Sequence, residues 1–124
     1  MVTAVLHDNL KRSLNVMPGA VTFGALKTGT FNEILMTVKN EDSLAHRITI
    51  KPLKDTRIIV KQLEYGIIAP GMIRTISVGI RVADDERPCL IKDTVEIVSK
   101  HDIFKIPLTA RIVSIEDFET ENRL

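Results

Sequence analysis

A chain of 124 residues, 44% apolar and 27% charged, has the size and composition of one globular domain with its own core, which excludes wholesale disorder. Its 17 basic and 16 acidic residues leave a net charge of +1, without the cationic excess of a non-specific nucleic-acid binder, and no run approaches the roughly 18 apolar residues of a membrane span. Cys89 is the only cysteine, which excludes an internal disulfide and a thiolate zinc cluster and fits a reducing, intracellular setting.

Residues 1–13 form an N-terminal segment of ambiguous structure. His7, Asp8, Lys11 and Arg12 interrupt it where an export signal needs an unbroken apolar run, so export is not expected. Leu14 to Met17 and Ala20 to Gly24 read as one strand broken by Pro18-Gly19, a break that lets a first strand cross between sheets. From Phe31 to Asn40, Ile34, Met36 and Val38 share one face, and Glu33, Thr37 and Lys39 share the other. Asn40-Glu41-Asp42-Ser43 reads as a polar turn. Arg47 to Lys51 predicts a strand with Ile48 and Ile50 inward, ended by Pro52, which has no ladder donor. Ile58 and Val60 mark a shorter strand.

Ala69-Pro70-Gly71-Met72 has Pro and Gly where a type II turn needs them. Ile76, Val78, Ile80 and Val82 then alternate with Thr75, Ser77, Gly79 and Arg81 over the longest clean strand pattern. A charged loop, Asp84 to Pro88, precedes a strand at Thr94 to Val98 with Val95 and Ile97 inside. Ser99 to Asp102 connects it to a last strand whose Phe104, Ile106, Leu108, Ala110 and Ile112 face one way, so the two read as a hairpin. Pro107 falls inside that last strand and predicts an edge strand or a bulge. Residues 114–124 read as an acidic tail, a linker or frayed end, or one helical turn.

This pattern predicts an all-β protein, an immunoglobulin-like sandwich of seven to eight antiparallel strands over residues 14–113. One-faced alternation needs a second apolar sheet to cover it. Each fully buried Ile, Val or Leu then contributes roughly 1.5–3 kcal/mol.

Several local strings carry a resemblance. Val16-Met17-Pro18, Val21-Thr22-Phe23-Gly24, Gly29 and Val38-Lys39-Asn40 resemble the opening of major-sperm-protein-like domains, especially the Hydin-type ASH domains of ciliary and centrosomal proteins. Tyr65 to Met72 resembles their G-x-I-x-P-G segment, and Phe104 to Ala110 their closing F-x-I-P-L-x-A strand. The resemblance spans about residues 15–113. It implies a PapD-like immunoglobulin fold and a non-enzymatic, intracellular interaction or scaffold module of cilia, flagella, basal bodies or centrosomes. Its partners would then be other proteins, ciliary or cytoskeletal, with no cofactor, nucleic acid or membrane insertion.

Candidate chemistry is sparse. His7, His46 and His101 lack ligand spacing, Cys89 has no local activating group, and Ser13, Ser43, Ser77 and Ser99 sit in no hydrolase motif. The acidic groups Asp84-Asp85-Glu86 and Glu116-Asp117 lack the alternation of a calcium loop and read as solvated. Arg47, Thr49 and Lys51 carry more weight: they project outward from one strand as a compact basic patch. In the related vesicle-associated membrane-protein-associated family, outward basic residues on this strand receive acidic peptides, which implies an alternative role as an adaptor at membrane contact sites. Thr94 and Glu96 depart from that family's basic and Met residues, and Glu96 is expected to repel an acidic peptide.

Overall fold

The computed structural model describes residues 13–122 and contains eight strands and one helix there. The strands are β1 (Leu14–Met17), β2 (Val21–Lys27), β3 (Phe31–Asn40), β4 (Thr49–Ile50), β5 (Ile58–Gln62), β6 (Ile73–Arg81), β7 (Cys89–Val98) and β8 (Ile103–Val113), followed by α1 (Ile115–Asn122). They form two four-stranded sheets, ordered β1-β3-β6-β5 and β2-β8-β7-β4. The predicted sandwich is the observed one. The ambiguous segment before Ser13, with His7, lies outside the described residues.

Alternation explains the core. Met36, Val38, Ile76, Val78 and Ile80 from one sheet meet Ile91, Val95, Ile97, Ile106, Leu108 and Ile112 from the other, and all are buried. Ile48 and Ile50 pack against this cluster, half-buried. The sheet switch falls at Pro18-Gly19: β1 pairs antiparallel with β3, whereas β2 pairs with β8. That second pairing departs from the antiparallel expectation. Having crossed between the layers, β2 runs beside β8 in the same direction, with a bulge between Thr22 and Ala25. The turn at Ala69 to Met72 closes as predicted, with Met72 N–H donating to Ala69 O at 2.9 Å and Gly71 at φ +81°.

Four local expectations are corrected. Pro107 lies on β8, an inner strand, and the β7–β8 register runs through it without a bulge. The ladder to β2 starts only at Leu108, so β8 has a single neighbour at Pro107 and the missing donor is tolerated. The predicted strand at 47–51 shrinks to Thr49–Ile50, because His46 instead bridges to Ile68. β7 begins at Cys89, well before Thr94, its inward alternation masked by the polar run Lys92-Asp93-Thr94. The acidic tail holds a two-turn helix, α1. Ser114 caps it: its Oγ accepts from Asp117 N–H at 3.1 Å and its carbonyl from Phe118 N–H at 2.9 Å. Glu116 and Asp117 suit the positive end of the helix dipole, and Lys27 Nζ lies 5.4 Å from the Phe118 ring centre, tying α1 to β2.

Candidate functional site

Arg47, Thr49 and Lys51 are all exposed, as their alternation with Ile48 and Ile50 requires. Thr49 pairs with Val98 and Ile50 with Ile97, and Lys51 N–H donates to Glu96 O at 3.0 Å. The patch therefore continues onto β7 and β8. Glu96 stands opposite Lys105, Thr94 opposite Pro107, Lys92 opposite Thr109 and Leu90 opposite Arg111. The outward face thus carries Arg47, Lys51, Lys92, Lys105 and Arg111 against Glu96, which lies between Lys51 and Lys105, while Asp93, bordering the face beside Lys54, Lys92 and Lys105, accepts from the Lys54 and Asp55 N–H groups. Flanked by two cations, Glu96 leaves the face positive. Leu90 and Ile103 are also exposed here, 59% and 50%.

At one end of this face lies a cleft of about 570 Å³. Asp42, Leu44, Ala45, His46, Arg47 and Thr49 form one wall, Val98, Ser99, Lys100 and His101 the other, with Ile67 beside them. Asn40 builds the first wall. Fully buried, it donates through Nδ2 to Leu44 O and Ile68 O, both at 2.8 Å, and its Oδ1 accepts from Asp42 N–H at 2.9 Å. His46 is buried behind it, paired in both directions with the Ile68 backbone at 3.0 and 2.7 Å. Its Nε2 meets Asp42 Oδ2 at 2.8 Å. That contact chiefly, with the Ser43 N–H second, holds the Asp42 carboxyl below its ordinary value. Arg74 fixes the neighbouring loop, donating from Nη2 to Ile67 O at 2.8 Å. The hairpin wall closes where Ser99 N–H meets Asp102 O at 2.8 Å.

The sequence did not reveal this cleft. His46 and His101 read as unrelated, yet the β4–β7 pairing brings their segments together. The i, i+4 spacing of Asp42 and His46 was the one available signal.

Other candidates have local partners. Arg57 Nη1 donates to Cys89 Sγ at 3.4 Å and to Glu86 Oε1 at 2.5 Å, and the same guanidinium grips Asp55 at 2.9 and 2.6 Å. Asp55 is the main cause of a raised Arg57 pKa, and in return its own carboxyl is lowered. Ser77 is buried beneath Glu33, to which its hydroxyl donates. Among the described residues no three His, Cys, Asp or Glu side chains gather as a metal would require, and no helix is long and apolar enough to cross a membrane.

The two sheets, the switching first strand and the short edge strand define a PapD-like β-sandwich. No family model and no curated protein matches the sequence significantly. Solved structures do match its fold. The ASH/PapD-like domain 7 of human CEP192 superposes with TM-score 0.60 at 10% identity, over 82% of this chain and 86% of that one. A Porphyromonas gingivalis W83 protein of unknown function gives TM-score 0.67 at 11% identity, over 84% and 49%. A family 123 glycoside hydrolase from Clostridium perfringens gives 0.61 at 8% identity, over 77% and 23%. This chain thus spans about half of the P. gingivalis protein and a quarter of the hydrolase. At such identities the likeness is one of fold.

Proposed function

We propose that this chain is a non-enzymatic protein-interaction or scaffold module of the ASH/PapD-like kind, working in a ciliary, flagellar or centrosomal assembly. The observation that carries the binding role is the outward face of β4, β7 and β8. It is broad and cationic, with exposed Leu90 and Ile103 towards its two ends, and this mixture suits the acidic surface of a protein better than a phosphate backbone. Arg47, Thr49 and Lys51 form its edge. The likeness to the CEP192 domain and the Tyr65 to Met72 string support the class of role, and the Phe104 to Ala110 string supports the ciliary address.

The test compares wild type with the charge-reversed Lys51→Glu, Lys92→Glu, Lys105→Glu variant in affinity purification from the native cell, alongside imaging of a tagged copy. The wild type recovers partners with acidic segments that the variant loses, and concentrates at basal bodies, axonemes or centrosomes. An unchanged partner set ends the proposal for this face, and a diffuse signal ends the address.

The same cationic edge favours a second reading, an adaptor for acidic peptide motifs at membrane contact sites. In that case the tagged copy lies at such contacts instead.

A further inference from the structure

The end cleft holds more cationic and donor groups than a lone carboxylate can use. Arg47 and Lys100 bring two fixed charges, His101 an imidazole and Thr49 a hydroxyl, from two segments that the β4–β7 pairing brings together. Among the described residues neither Arg47 nor Lys100 has a carboxylate within ion-pair distance. Asp42, the one carboxylate lining the cleft, is already engaged by His46 and by Ser43 N–H at 2.7 Å. A phosphate monoester matches this set, since it carries about two negative charges at neutral pH and three terminal acceptor oxygens.

The remaining lining indicates what carries the phosphate. Leu44, Ala45, Ile67 and Val98 give the cleft an aliphatic lip, and Leu44 and Ile67 are 68% and 48% exposed. No Phe, Tyr or Trp lines it, so a nucleotide base would have nothing to stack on. The cleft also opens onto the cationic face through Arg47 and Thr49, which belong to both. A phosphorylated serine or threonine flanked by aliphatic residues, within an acidic segment lying along that face, fills both features.

We infer that the end cleft is a phosphoresidue pocket, so that phosphorylation of the partner segment strengthens its binding. The inference rests on the reading of the adjoining face as a protein-binding surface.

Fluorescence anisotropy tests it with a short labelled peptide of Glu, Asp and Leu around one central serine, free or phosphorylated. The phosphate is expected to raise affinity roughly ten- to a hundredfold. Lys100→Ala with His101→Ala removes that gain, so that the variant binds the free and the phosphorylated peptide equally. Lys51→Glu with Lys105→Glu weakens both peptides. Circular dichroism confirms that each variant is folded. Equal affinity of the wild type for the two peptides, or a phosphate gain that survives the Lys100/His101 change, overturns the pocket while the face reading stands. Inorganic phosphate binding as tightly as the phosphopeptide overturns it too, in favour of a free oxyanion site. If neither peptide binds, both readings fall.

Discussion

Replacing Asn40 with Ala tests whether one buried amide organises the cleft wall. The side chain is inaccessible to solvent and makes three hydrogen bonds, to Leu44 O, Ile68 O and Asp42 N–H. Each such bond contributes about 1 kcal/mol net, more when a buried partner is orphaned. Here the orphaning is limited. Ile68 O keeps the His46 N–H at 3.0 Å, and Leu44 and its neighbours lie at the surface, where water can replace the lost partner. The expected loss is therefore about 2–3 kcal/mol, or roughly 6–12 °C in melting temperature. Asn40→Asp provides the control. It preserves shape and the acceptor for Asp42 N–H but aims carboxylate oxygen at two carbonyls. Burial and those carbonyls raise the introduced carboxyl's pKa in the folded state, so its deficit against wild type should shrink as pH falls from 7 towards 4. Urea unfolding followed by circular dichroism measures both. An Asn40→Ala variant within about 0.5 kcal/mol of wild type would refute the assigned role, since that is the scatter of neutral surface changes.

Arg57→Met removes the clamp joining Asp55, Glu86 and Cys89; because the pair is partly solvated, the loss should be about 1–2 kcal/mol in chemical denaturation, and none would mean the clamp is ornamental. Asp55 is held below the ordinary carboxylate value near 4, chiefly by Arg57, so its contribution is complete above that value and disappears as pH falls through the lower folded one. Asp55→Asn should flatten that part of the acid limb in an unfolding series, and an unaltered limb would contradict the assignment. Gly29 sits at φ +74°, where a Cβ would lie 2.4 Å from Asp84 Oδ1. Gly29→Ala should therefore cost about 1–2 kcal/mol, read as a lowered melting temperature; a neutral result would show that the loop can shift freely.

The layers of the fold were legible because a two-residue period needs no long-range information: Met36 and Val38, or Ile76, Val78 and Ile80, announce their face by spacing alone. The harder features depend on partners distant in sequence. Ser77 and Gly79 read as solvent-facing, yet both are buried, because Glu33 and the Phe31 ring cover them from β3. Asn40 read as a turn residue, and only the approach of Ile68 makes it a buried keystone. Pro107 pointed to an edge strand or a bulge, and β8 is neither at that point; the sequence could not show that an inner strand would have its β2 neighbour begin one step later, at Leu108. α1 was missed although Ser114 and Asp117 form the start of a capping pattern, because its acidic sequence has no apolar stripe to distinguish it from a solvated tail. The candidate site divided similarly. The outward placement of Arg47, Thr49 and Lys51 followed from alternation, whereas the cleft depended on β4 meeting the β7–β8 hairpin.

The chain's passage from one layer to the other at Pro18-Gly19 has a mechanical consequence. A single covalent stretch is hydrogen-bonded into both sheets, at Leu14 to Met17 with β3 and from Val21 with β8. The two halves of the sandwich are therefore laced together at this margin, and neither can slide or peel from the other without unzipping one of those two ladders first.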